Sequence, residues 1–238
     1  MSIFLAVVII FISFVINAFA GFGGGIVAVP FLALLFPLRT LSPLINLLGF
    51  TSNLFLIKTF YKTIHYSLLI PLVIGNLVGS IIGIHYLLNV QNSILLKILG
   101  VVILASSVIF YLIDKRFTLK PNLFVGLIAG CLSGLLSSLF SVGGPPIILY
   151  LTSIIKDKTQ LRTTSLAFFF INGIMQVILI FTNKLATKEV LTLFLIFLPI
   201  LIFANWIGHR IHHKTSEELF RKLVFAILLF SGIILLIK

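Results

Sequence analysis

Eight apolar segments follow one another along the chain, separated by short polar loops. A run of about 17–25 apolar residues can cross the hydrocarbon core of a bilayer as a helix. The segments lie at residues 3–35, 44–60, 67–88, 94–113, 123–155, 161–182, 190–207 and 219–237. This pattern predicts an all-α integral membrane protein with no room for a soluble domain, so any function is expected inside the helix bundle.

Glycine and proline interrupt two of these segments at matching places. Gly21-Phe22-Gly23-Gly24-Gly25 breaks the first segment, and Ser141-Val142-Gly143-Gly144-Pro145-Pro146 breaks the fifth. Glycine disfavours helix and proline lacks an amide hydrogen, so helical hydrogen bonds are lost at both places. Opened backbone is tolerated in a membrane only where it is buried in protein or lines a wet cavity. Such paired interruptions indicate a transporter binding site.

The two halves of the chain correspond beyond the interruptions. Gly79–Gly83 ends the third segment and Ala204–Gly208 ends the seventh, and in each half a lysine follows at the same spacing, Lys97 and Lys222. We therefore predict a first membrane repeat over residues 1–113, a polar linker over 114–121 and a second membrane repeat over 122–238.

Glycines spaced by four predict close helix contacts. One row consists of Gly75, Gly79 and Gly83, and the other of Gly126, Gly130 and Gly134. Each row lies along one helix face and lets a neighbouring backbone approach, so we interpret both rows as packing surfaces.

The distribution of Lys and Arg tests whether the broken segments cross the membrane or turn back within it. If each crosses once, the two sides carry eight and nine of these residues, with no bias. If both turn back, the sides carry five and twelve, in better agreement with the positive-inside rule. Three full crossings would then remain in each half, so the repeats would be inverted, but single crossings stay open.

The composition fits a membrane protein and argues against a nucleic-acid-binding one. The chain is 60% hydrophobic and 9% charged, and its mean hydropathy is +1.28. The formal net charge of +12 comes from basic residues between apolar runs, where they meet cytoplasmic water and lipid headgroups. We expect a multi-pass protein of the cell membrane, either a bacterial inner membrane or a plasma membrane, in contact with membrane lipids.

These features together resemble the TauE/SafE sulfite exporter family, also called the toluene sulfonate uptake permease family. The resemblance is carried by Gly21–Gly25 through Pro30, by Ser141–Pro146, and by the Gly-rich ends of the third and seventh segments. It extends over nearly the whole chain. It implies an integral membrane transporter for a sulfur-containing oxyanion or an organic sulfonate, and it fixes neither the substrate nor the direction of transport.

Such an anion needs hydrogen-bond donors and positive potential. Half-helices beginning near Ile26 and Ile147 would supply free backbone N–H groups and the positive end of a helix dipole. Asn172 and Gln176 lie one helical turn apart and would add neutral amide donors. We therefore predict a substrate site formed by Gly23, Gly24, Gly25, Ser141, Gly143, Gly144, Asn172 and Gln176. Other polar candidates within the segments are Asn17, Asn46, Thr51, Asn53, Ser137 and Ser138.

Alternative functions are an anion channel and an intramembrane enzyme. A channel shares the broken helices, so the sequence leaves it open. An enzyme would need an activated nucleophile, a metal or an acid–base pair inside the bundle. The serines at 137, 138 and 141 have no deep His, Lys or carboxylate to activate them, and all five acidic residues lie in loops or at segment ends. We therefore expect no enzyme, no cofactor and no metal, and we leave a homo-oligomer open.

Overall fold

The computed structural model describes residues 2–20, 24–56, 64–112 and 121–211, together with residues 232 and 235, and these contain helices but no strand. The helices in this part of the chain are α1 (Ser2–Ala20), α2 (Gly24–Leu32), α3 (Leu38–Leu56), α4 (Tyr66–Asn89), α5 (Asn92–Leu112), α6 (Leu123–Phe140), α7 (Gly144–Ile154), α8 (Lys158–Thr182) and α9 (Lys188–Ile211).

Both interrupted segments are pairs of helices. The first divides into α1 and α2 and the fifth into α6 and α7, so the half-helices begin two and three residues before the predicted starts. Four helices, α4, α6, α8 and α9, are long and apolar enough to cross a membrane, and α1, α5 and α7 contain shorter apolar stretches. The described part of the chain is therefore all-helical and suited to a membrane. The predicted eighth segment lies outside the described residues except for 232 and 235.

Helix α3 begins six residues before the predicted start of its segment, and tertiary hydrogen bonds explain the difference. The segment predicted from the sequence is an apolar run that starts at residue 44, whereas the helix also includes the polar residues before it and Pro43. The backbone N–H of Leu38 donates to the side-chain oxygen of Asn92 (2.9 Å). Arg39 donates to the carbonyls of Leu87 (3.1 Å) and Leu88 (2.6 Å) at the end of α4. These contacts fix the first turn of α3 beside the end of α4.

The predicted glycine rows form the closest helix contact in the described bundle, between α4 and α6. A Cβ atom built on Gly79 would overlap the carbonyl of Cys131, and one built on Gly134 would overlap the carbonyl of Asn76. Gly75 and Gly130 meet the opposite backbone in the same way. The interpretation of these rows as packing surfaces is confirmed, because only a residue without a side chain lets the two backbones approach so closely.

The order of contacts gives the directions of the helices. Residues 75, 79 and 83 of α4 meet residues 127, 131 and 135 of α6 in the same order, so these helices run parallel. Helix α8 is parallel to α4, because Asn76 binds Asn172 and Ser80 binds Gln176, each pair 96 positions apart.

Helices α1 and α9 are also parallel to each other. Phe11 stacks on Phe203 with ring centroids 6.0 Å apart, and Gly208 contacts Val15 and Ala18 one turn further along. A short loop joins α8 to α9, so α9 and α1 run opposite to α4, α6 and α8.

Helix α7 folds back along α6. Near the break, the hydroxyl of Ser133 donates to the carbonyl of Gly143 (2.7 Å). Two turns into α7, the hydroxyl of Tyr150 donates to the carbonyl of Asn122, which caps the start of α6 (3.2 Å). The fifth segment therefore begins and ends at the same end of the bundle.

We predict that adding a methyl group to the glycine rows destabilises the protein. Gly79→Ala and Gly130→Ala place a Cβ against rigid backbone, and overpacking of this kind costs about 1–3 kcal/mol. The control is Gly49→Ala, because a Cβ at position 49 has no neighbour within 4 Å in the described structure. Thermal unfolding of the purified protein in detergent measures the difference. Equal unfolding midpoints for Gly79→Ala and Gly49→Ala would contradict this account of the contact.

Candidate functional site

A cavity of about 80 Å³ lies where the two helix breaks meet. This volume is several times larger than that needed by one water molecule, which is about 10–15 Å³. Its walls come from the ends of α1 and α6, the starts of α2 and α7, and one face each of α3 and α8. The residues that line it include Asn17, Gly24, Gly25, Asn46, Asn53, Ser137, Ser141, Gly143, Gly144 and Asn172.

Backbone of one break packs directly on backbone of the other. Ser141 ends α6 in the left-handed region, with φ at 56°, and its N–H donates to the carbonyl of Ser137 (2.8 Å). This conformation brings the carbonyl of Ser141 so close to Gly25 that a Cβ atom there would overlap it. The hydroxyl of Ser141 donates to the carbonyl of Ser42 (2.8 Å), which attaches the break to α3. Gly25 is thus required for the close approach of the two breaks.

A chain of polar side chains holds the first break in place. The side-chain oxygen of Asn17 accepts from the N–H of Gly24 (3.3 Å), and its amide nitrogen donates to the hydroxyl of Ser52 (3.0 Å). Ser52 donates in turn to the side-chain oxygen of Asn205 (2.9 Å). The chain connects α1, α3 and α9 and satisfies one of the N–H groups that a helix start leaves without a helical partner.

Similar contacts join α6, α8 and α4 beside the second break. The amide nitrogen of Gln176 donates to the hydroxyl of Ser80 (3.1 Å), and the hydroxyl of Ser138 donates to the side-chain oxygen of Gln176 (3.1 Å). Asn172 accepts from the amide of Asn76 (3.0 Å) and donates to the hydroxyl of Ser137 (3.4 Å). Both amides on α8 are therefore bound to neighbouring helices.

The structure brings most of the predicted site residues around this one cavity. Gly24, Gly25, Ser141, Gly143, Gly144 and Asn172 all line it. Gln176 does not; its side chain is 1% exposed and is held by Ser80 and Ser138. Gly23 lies outside the described residues. Whether an anion binds here stays a prediction.

Sequence reasoning missed the aromatic wall of the cavity. Phe14, Phe50 and Phe169 line it together with the polar groups, and Phe50 stacks on Phe170 with centroids 5.8 Å apart. A helical pattern in the sequence carries the signal for part of this wall. Asn46, Gly49, Phe50 and Asn53 stand at positions i, i+3, i+4 and i+7, which share one face of a helix, and all of them line the cavity.

The lining residues are suited to binding an anion without a countercharge. Among the described residues, the cavity lining contains no Lys, Arg, His, Asp or Glu. What it offers is the start of α2, the start of α7 and several amides and hydroxyls. The backbone N–H groups at a helix start point at a ligand there, and the helix dipole favours a negative charge. Pro145 and Pro146 stand in the first turn of α7 and donate nothing, so α2 is the richer source of donors.

The chain matches a known family over nearly its whole length. A family model described as "Sulfite exporter TauE/SafE" matches residues 5–235. No curated protein matches the chain, and no solved structure does. The matched range includes all four described helices that are long and apolar enough to cross a membrane. The chain therefore belongs to the sulfite exporter TauE/SafE family, as a multi-pass membrane protein of a transporter family.

Proposed function

We propose that the protein is a secondary transporter that moves a small anion, sulfite or an organic sulfonate, across the cell membrane. The observation that carries this proposal is that the starts of α2 and α7 line the same cavity inside an apolar bundle. Family membership supports a sulfur-containing substrate.

The binding site in this proposal consists of the glycines at 23, 24, 25, 143 and 144 together with Ser141 and Asn172. Glycine lets an oxyanion approach the backbone N–H groups at the helix starts. Each hydrogen bond to a charged group contributes about 1.5–3 kcal/mol, so a few such donors give useful affinity without a buried Lys or Arg. Gln176 supports the site indirectly, because it joins α8 to α4 and α6.

The aromatic wall extends the proposal to substrates with an organic group. Phe14, Phe50 and Phe169 form an apolar side, whereas the helix starts and amides form a polar side. A sulfonate has the same two-sided character, with charged oxygens at one end and carbon at the other. Sulfite would use the polar side alone.

We also propose that the two halves are inverted repeats whose broken segments turn back within the membrane. The first turns of α3 and α8 have similar sequences. Helix α3 opens with Leu38-Arg39-Thr40 followed by Ser42, and α8 contains Leu161-Arg162-Thr163 followed by Ser165. The two helix starts lie at opposite ends of α4. Helix α3 begins beside the end of α4. Helix α8 begins beside the start of α4, where the backbone N–H of His65 donates to the hydroxyl of Thr164 (3.1 Å). Similar sequences at opposite ends of the bundle support inversion, which is a common plan of secondary transporters.

The transport prediction concerns the glycines of the helix breaks. In proteoliposomes we expect saturable uptake of at least one anion from a panel of sulfite, thiosulfate, sulfate, taurine and acetate. Gly24→Val and Gly144→Val should weaken binding about tenfold to a hundredfold, because a branched side chain keeps the anion away from the backbone donors. Asn172→Leu should weaken it less, since it removes fewer donors.

Size-exclusion chromatography of each variant separates a binding defect from a folding defect. We expect Gly24→Val to elute as folded protein, and Gly79→Ala, which alters only helix packing, serves as the comparison. Well-folded Gly24→Val protein with unchanged transport would contradict the proposed site. Currents far above carrier turnover, without saturation by substrate, would indicate a channel instead.

The topology prediction concerns the two ends of the fifth segment. Pro121 and Lys156 are exposed and flank α6 and α7, and Gln91 is exposed at the other end of the bundle, between α4 and α5. Single cysteines are placed at these positions in a Cys131→Ala background and treated with an impermeant maleimide. The cysteines at 121 and 156 should react from the same side of the membrane, and the cysteine at 91 should react from the opposite side. Labelling of 121 and 156 from opposite sides would mean that the segment crosses the membrane.

A further inference from the structure

The polar side chains that line the cavity differ in whether neighbouring residues already form hydrogen bonds with them. Asn17, Asn172 and Ser141 are engaged by neighbours, as described above. The amide of Asn46 donates to the carbonyl of Ser137 (2.9 Å). All these groups spend hydrogen bonds on holding the helix breaks in position.

Asn53 differs from these side chains. It lies on α3, it lines the cavity and it is 9% exposed. Its side-chain amide forms no hydrogen bond with any residue in the part of the chain that the structure describes. The amide atoms of Asn53 are not among the described side-chain atoms that are fully buried without a partner, so they keep surface that a ligand in the cavity can reach.

Comparison of the two halves explains why Asn53 is left without a partner. When Leu38-Arg39-Thr40 is aligned with Leu161-Arg162-Thr163, position 53 corresponds to position 176. Gln176 is bound by Ser80 of α4 and Ser138 of α6. In the first half, Ser52 takes over the corresponding link between α1 and α9, which it makes through Asn17 and Asn205. The residue at position 53 is thereby left without a partner on a neighbouring described helix, in the lining of the cavity.

We propose that Asn53 is the side chain that donates directly to the bound anion, together with the backbone N–H groups at the start of α2. The inference rests on the proposed function and identifies the specificity-determining side chain of the same site. A carboxamide presents two N–H donors and carries no charge. It suits an oxyanion with several acceptor oxygens, such as sulfite or the sulfonate group of taurine. Gln176 then holds α8 in place. Asn172, whose amide is already bound to Asn76 and Ser137, contributes less to the ligand than Asn53.

The proposal makes opposite predictions for stability and for binding. Asn53→Leu removes an amide that has no protein partner, so the thermal unfolding midpoint without ligand should stay the same or rise. The same change should weaken sulfite binding about tenfold to a hundredfold, because donors to a charged ligand are lost. Its counterpart Gln176→Leu breaks buried bonds between helices, so it should lower the unfolding midpoint.

The experiment uses the full-length protein purified in detergent, with radiolabelled sulfite as the probe and taurine and thiosulfate as competitors. Asn53→Asp keeps the size of the side chain but replaces donors with a negative charge, so it should bind sulfite more weakly than Asn53→Leu. Asn53→Gln keeps both donors and should bind more tightly than Asn53→Leu. Unfolding midpoints are measured for every variant with and without sulfite.

Each result either supports or overturns the inference. Weakened binding by stable Asn53→Leu protein, with recovery in Asn53→Gln, supports it. Unchanged sulfite binding by Asn53→Leu overturns it and leaves the proposed transport function intact. Unfolded or clearly destabilised Asn53→Leu protein also overturns it, because the amide would then be structural. If wild-type protein binds none of the three anions, the proposed function fails, and the inference fails with it.

Discussion

The structure depends on how the backbone N–H and carbonyl groups find hydrogen-bond partners where helices break inside an apolar bundle. The helices on either side of each break leave N–H and carbonyl groups without helical partners, and hydrocarbon offers them none. The protein solves this problem by bringing the two breaks together, with the carbonyl of Ser141 against Gly25 and the N–H of Gly24 bound by Asn17. The donors that remain surround one cavity. The proposed binding site is thus a consequence of the same breaks that make the bundle difficult to build.

The surrounding helices hold this arrangement from both sides. Asn17, Ser52 and Asn205 link α1, α3 and α9, and Ser138, Gln176 and Ser80 link α6, α8 and α4. All these groups are neutral, which avoids the cost of burying a charge inside an apolar bundle. Neutral donors also fit the proposed transport function, in which the anion must leave the site as readily as it enters.

Sequence reasoning predicted the features that local chemistry determines. The breaks follow from clusters of glycine and proline, and the contact between α4 and α6 follows from glycines spaced by four. It failed where tertiary contacts decide. Helix α3 begins six residues before the apolar run at residue 44, and its first turn is bound by Asn92 and by the contact of Arg39 with the end of α4. Asn172 and Gln176 look equivalent in sequence, yet only Asn172 reaches the cavity, since the packing of α4 and α6 encloses Gln176. That Asn53 has no side-chain hydrogen bond to another described residue can be seen only in the structure.

The most direct test of an anion site between the two breaks is to locate a bound anion. Selenite resembles sulfite in shape and charge, and its selenium scatters X-rays anomalously. In crystals of the protein soaked in selenite, the account predicts an anomalous peak inside the cavity, next to Gly25, Ser141 and Asn53. A peak only beside lysines or arginines at the helix ends, with the cavity empty at a saturating selenite concentration, would contradict it.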